Sequence, residues 1–246
     1  MKHLKILATG ITVAAMSLFM VSCGSGDDEK KTEETSKDTT AKTTETPPPP
    51  TPVKPDNVAV VTHKVANYAK WKPVYDADDA ARQAAGLKNY VIARGMGKDS
   101  NTVMIALKMS DTAKAKAFGS SKELMAKMKE GGVIGKPTVM LVNVVTTENE
   151  GNPTPARLRV THKVKDFDAW KKVFDSHKQD RVANGFLDRS VGYSFDDNHL
   201  VSVVFIVTDM AKAKAFVASK DLKDKMAEAG VVGPPTMFWF NVVQRY

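Results

Sequence analysis

The stretch THKVANYAKW, starting at Thr62, returns as THKVKDFDAW from Thr161. An internal repeat of this length restricts the chain to architectures in which one supersecondary unit is built twice and the copies supply what each lacks. Aligning His63 with His162 sets an offset of 99 that also carries Val65 to Val164, Trp71 to Trp170, Asp76 to Asp175, Arg82 to Arg181 and Gly86 to Gly185. One residue is then lost. At an offset of 98 the match continues through Asp111 and Asp209, the string AKAKAF from Ala113 and from Ala211, Met128 and Met226, Gly135 and Gly233, and Asn143 and Asn241. The copies span residues 58–145 and 157–246, with a linker over 146–156.

The second copy is the easier to read. LRVTHKV, from Leu158, predicts a strand, and Phe167, Trp170, Phe174, His177 and Arg181 recur at three or four residues, the stripe of a helix that stops at Gly185. Two strands follow, Arg189 to Ser194 and Leu200 to Val207, around the turn Asp196-Asp197-Asn198. Asp209 caps the next helix, Ser219 restarts it, and Thr236 to Val243 is a last strand. The order βαββαβ is an α+β ferredoxin-like unit, an antiparallel sheet with its helices on one face.

Such a sheet leaves a face uncovered. LVSVVFIV and TMFWFNVV, from Leu200 and Thr236, are nevertheless apolar at both parities, unlike strands with one wet face. The expected cover is the same face of the other copy, so that two ferredoxin-like repeats pack sheet to sheet within one chain. The linker can span up to about 35 Å, well beyond the ~10 Å between packed sheets. A monomer with an internal pseudo-dimer is expected.

The segments THKVKDFDAWKKVFDSH, AKAKAFVAS and AGVVGPP together resemble the dimeric α+β barrel superfamily, in particular the domains related to antibiotic-biosynthesis monooxygenases. The resemblance covers both copies and implies the fold. It implies no single activity, because the superfamily includes cofactor-free oxygenases, haem degraders and chlorite-decomposing enzymes.

The N-terminal part differs in kind. Lys2 and Lys5 precede an apolar run from Ile6 to Val21, a signal-peptide pattern too short to span a membrane comfortably. Met20-Val21-Ser22-Cys23 resembles the lipobox of bacterial lipoproteins, which makes Cys23, the only cysteine, the expected lipidation site and excludes disulfides. Residues 1–23 are thus read as a leader. Residues 24–57, rich in Thr, Lys, Glu and Pro, are read as a disordered tether, since they cannot bury enough apolar surface to offset ordering. GSGDDEKK, from Gly24, resembles the export signal of bacterial surface lipoproteins. The expected address is the outer membrane, lipid-anchored, facing the surface or the periplasm. The net charge of +8 is interleaved with acids and lacks aromatic side chains spaced for base stacking, so no nucleic-acid partner is expected.

The polar residues that could bind a ligand lie where the first strand meets the first helix. They are His63, Asp78 and Arg82 in copy one, and His162, His177 and Arg181 in copy two. His177 and Arg181 are four apart, hence on one helical face, and a buried neutral imidazole beside Arg181 could act as a base or bind an anion. Alternatively, the two strand histidines hydrogen-bond near a helix start and hold the turn. Copy two carries the fuller His-His-Arg set. No metal site is expected, because copy two lacks a third ligand and copy one has Asp78 in place of His177; no cofactor is expected either. Trp71 and Trp170 read as core. The functional expectation is a module that binds a small ligand or a partner, with a cofactor-independent monooxygenase-like enzyme as the alternative.

Overall fold

The computed structural model describes residues 55–246; Cys23, the leader and most of the tether lie outside the described residues. The first repeat runs β1 (Val58–Val65), α1 (Tyr68–Ala77), α2 (Asp79–Ala84), β2 (Leu87–Gly95), β3 (Thr102–Met109), α3 (Thr112–Gly119), α4 (Lys122–Glu130) and β4 (Val133–Thr147). The second repeats the order as β5 (Ala156–Val164), α5 (Phe167–Ser176), α6 (Lys178–Ala183), β6 (Phe186–Ser194), β7 (Leu200–Val207), α7 (Met210–Ala218), α8 (Lys220–Glu228) and β8 (Val231–Arg245). Each predicted βαββαβ unit is present, with both of its helical segments broken in two.

Local chemistry places the breaks. Asp209 accepts from the backbone N–H groups of Ala211 and Lys212 to start α7, and Ser219 accepts from Leu222 to start α8. Asp111 and Ser121 do the same for α3 and α4, in each case satisfying donors that a helix start leaves free. The stripe from Phe167 to Arg181 is not one helix: His177 leaves helical geometry at φ −94°, ψ 19°, as Asp78 does at φ −93°, ψ 13°. Gly185 ends α6 at φ +80°, a conformation that favours glycine, and a Cβ there would lie 2.7 Å from the Asp209 carbonyl oxygen.

The eight strands close into a barrel in the order β1-β3-β2-β8-β5-β7-β6-β4, every neighbour antiparallel. The repeats do face each other, as expected, but they also join at their edges. The long strands β4 and β8 make this possible. The first part of β4 pairs with β1, and its last residues, Val142 to Thr147, pair with β6 of the other repeat; β8 likewise joins β5 to β2. The extension shortens the connector between repeats to residues 148–155. Closure gives each edge strand a partner, which removes the row of unpaired backbone groups that an open sheet exposes.

Strand alternation then separates three cores. Val65, Trp71, Leu87 and Ile105 pack between the first half-sheet and its helices; Val164, Trp170, Phe186 and Phe205 do so in the second. Val60, Met104, Met140, Val142 and Phe240, drawn from both repeats, fill the barrel itself. This shared cluster is why the strands read as apolar at both parities. Among the described residues, no helix is long and apolar enough to cross a membrane.

Candidate functional site

His63 and His162 point from β1 and β5 toward the helices, and Trp71 and Trp170 lie against them with ring centroids 5.8 and 5.5 Å away. The histidines are 5% and 7% exposed, and none of their ring nitrogens has a hydrogen-bond partner among the described residues. The hydrogen-bonded turn considered as their alternative role is therefore not what they form. Burial holds both imidazoles at a pKa of about 4, because a charged ring would be desolvated with nothing to compensate it. Both are neutral at physiological pH.

A bulge stands opposite each histidine. Between Thr62 and Lys64 the partner strand β4 advances from Thr138 to Ile134, so two extra residues are accommodated around Gly135-Lys136-Pro137. The same shift occurs at Gly233-Pro234-Pro235 opposite His162. Gly135 and Gly233 take φ +72° and +71°, and the prolines sit where the ladder is already interrupted.

The remaining predicted residues serve a different purpose. Arg181 donates from Nε and Nη2 to the two carboxylate oxygens of Asp188 at 2.8 and 2.7 Å, and from Nη1 to the Phe174 carbonyl at 2.5 Å. Its guanidinium also stacks 3.7 Å over the Phe174 ring. Three of its five N–H donors are engaged in these hydrogen bonds. His177 pairs with Asp180 at 3.0 Å, part-buried at the junction of α5 and α6. Both residues border the same cavity as His162, where Arg181 is already held by the Asp188 carboxylate and the Phe174 carbonyl. In copy one, Arg82 stacks 3.8 Å over Tyr75 and donates to the Tyr75 carbonyl, to Asn89 and to Asp79. Asp78 lies 3.9 Å from Arg82 as a peripheral ion pair.

Asp188 and Asn89, at equivalent positions, were not singled out in the sequence. The signal was faint: one polar residue early in a strand whose counterpart differs in charge. The copies balance the buried arginine differently, copy two with a carboxylate on β6 and copy one with a carboxylate on α2, since Asp79 stands where Lys178 stands in the second copy.

The equivalent cavities between sheet and helices differ in size. That of copy one, lined by His63, Trp71, Tyr75 and Arg82, has a volume of about 380 Å³; that of copy two has about 100 Å³. Substitutions between the copies account for the difference: Ala59, Leu87, Leu107, Gly119 and Val139 border the larger cavity, whereas the bulkier Leu158, Phe186, Phe205, Val217 and Met237 border the smaller. Copy two has the fuller polar set, and copy one has the space.

No protein-family model and no curated protein matches the chain. Solved structures do. An anthrone oxidase-like protein superposes with a TM-score of 0.52 at 12% identity, covering 79% of this chain and 95% of its own. A candidate monooxygenase from Fusobacterium nucleatum subsp. nucleatum gives 0.50 at 12% identity, covering 76% and 92%. The fold is that of a dimeric α+β barrel, with both halves in one polypeptide. At such identity the likeness concerns the fold, and the chemistry rests on the side chains described above. Among the described residues, no group of three His, Cys, Asp or Glu side chains is placed to hold a metal ion.

Proposed function

We propose that this chain is a lipid-anchored envelope protein that binds a small, uncharged aromatic ligand in the sheet–helix cavity of its first repeat. The observation that carries the reading is the buried, unpartnered imidazole of His63 in the roomier of the two equivalent cavities. A buried polar group without a partner costs stability. A ligand carrying one hydroxyl or N–H group would satisfy it, while Trp71, Leu107 and Leu141 surround the apolar body. Copy two keeps the histidine and has filled the space.

His63 also bears on the enzymatic alternative. A general base works best with a pKa near the operating pH, and at about 4 this imidazole is a weak one. It suits hydrogen bonding better than proton abstraction.

The double variant Leu87→Phe/Gly119→Val, which imports two of the side chains of copy two, is expected to abolish ligand-induced thermal shifts across a panel of phenols, indoles and hydroxyquinones. The wild-type chain should respond to at least one of them. Undiminished shifts in the filled variant would remove the cavity from consideration, and ligand-dependent oxygen uptake by the wild type would favour the monooxygenase-like reading.

The anchor rests on Met20-Val21-Ser22-Cys23. Cys23→Ser should leave the membrane fraction, and because every strand in the barrel is paired on both sides the released protein should sediment as a monomer. Normal membrane retention would refute lipidation, and a dimer would refute the self-contained barrel.

A further inference from the structure

The barrel encloses another cavity, separate from both sheet–helix cavities. Side chains alternate along a strand, so Leu158, Val160 and His162 of β5 face the helices while Arg157 and Arg159 face the barrel interior. There they border a space of about 380 Å³ whose walls include Val60, Val142, Val204 and Phe240. Antiparallel pairing around a closed ring makes β1, β2, β5 and β6 run in one direction. Val58, Tyr90, Arg157 and Arg189 all come from early positions in those strands, so the cavity lies toward the end of the barrel where they begin.

Arg159 lies among these apolar walls. Its Nε donates to the Ser202 hydroxyl at 3.0 Å, and Nη2 lies 2.9 Å from Met140 Sδ. Among the described residues it has no carboxylate partner, and burial lowers its pKa to about 10. The other cations of the lining are accounted for. Arg189 pairs with Glu150 at 3.0 Å and contacts the Tyr90 hydroxyl. Lys108 pairs with Asp56 at 2.6 Å. Arg157 donates to the carbonyls of Asn152, Thr154 and Ala156, and Arg245 to that of Asn152.

The duplication supplies an internal control. The counterpart of Arg159 is Val60, and that of Ser202 is Met104, so an apolar pair forms the same wall on the other side of the pseudo-two-fold axis. The fold does not require the arginine. An unpaired cation withdrawn from most of its water costs stability, and what would compensate the partly buried Arg159 is an anion from solution. One guanidinium and one hydroxyl match a single carboxylate, and the volume is at the small end for ligand pockets.

We propose that the barrel interior is a binding site for a small monocarboxylic acid, its carboxylate held by Arg159 and Ser202 and its hydrocarbon body against Val60, Val142, Val204 and Phe240. The cations toward the end of the barrel favour entry of an anion.

The test is calorimetric titration of the full chain with hexanoate and cyclohexanecarboxylate, with hexanol and cyclohexylmethanol as uncharged, non-aromatic counterparts, and with inorganic phosphate. At least one acid should bind roughly tenfold or more tightly than its alcohol. Arg159→Met should lose that binding while melting at a higher temperature than the unliganded wild type, Ser202→Ala should weaken it severalfold, and His63→Phe, in a different cavity, should leave it unchanged. Equal affinity for acid and alcohol, undiminished binding in Arg159→Met or Ser202→Ala, or no heat with either acid would overturn the site. Tighter binding of phosphate than of either acid would overturn the ligand class.

Discussion

Lowering the pH from above 6.5 to about 4 is expected to remove roughly 3 kcal/mol of folding stability for each of His63 and His162. The direction follows from proton uptake. In the unfolded chain each imidazole charges near its ordinary value of 6.5, whereas burial in the folded protein delays charging to about 4. Between those values the unfolded state binds more protons, so stability is fully present above 6.5 and falls as the pH drops toward 4. With both rings nearly buried and unpartnered, solvent offers little relief. Denaturant unfolding across this window should therefore show a steep loss. The double variant His63→Phe/His162→Phe should flatten it by removing the titrating groups. A pH dependence unchanged in that variant would mean that other groups drive it.

The second large effect concerns the Arg181–Asp188 pair, in which both side chains are 8% exposed. Arg181→Ala is expected to cost about 3 to 5 kcal/mol, because it strands a buried carboxylate and abandons the contact with Phe174. Asp188→Asn should also destabilise, since copy two has no helix carboxylate in the place of Asp79. Copy one indicates the rescue. Adding Lys178→Asp to Asp188→Asn would rebuild the Arg82–Asp79–Asn89 arrangement and should recover most of the loss, although Lys178 would surrender its 2.6 Å ion pair with Glu148. Urea unfolding of the two single variants and the double variant decides the matter. If Arg181→Ala unfolds like the wild type, the pair is not structural. If the double variant is no better than Asp188→Asn alone, the two copies do not balance charge in the way described.

These expectations also show why the site was only partly legible beforehand. His63, Arg82, His162, His177 and Arg181 were visible because the repeat aligned polar residues at matching positions, and a polar residue on an apolar stripe stands out. Their roles were not visible. Arg181 looked free because its partner, Asp188, lies beyond a helix end and a tight glycine turn, where helical spacing no longer predicts neighbours. Arg159 was not singled out within the strand LRVTHKV. Only closure of the barrel turned its side of β5 into an interior.

What the sequence determined by itself was the local and periodic part: two copies, the order βαββαβ in each, the caps at Asp209 and Ser219, and the need to cover a second apolar sheet face. Each follows from interactions within a few residues or from strand alternation. The tertiary structure alone decided that the copies join at their edges through β4 and β8, that one sheet–helix cavity is open and its twin nearly filled, and that Arg159 points into the barrel without a carboxylate partner. The reason is physical. Cavity volume, desolvation and ion pairing depend on which side chains meet across long separations, and packing sums contributions from Phe186, Phe205 and Val217 that are apart in the chain and adjacent in space.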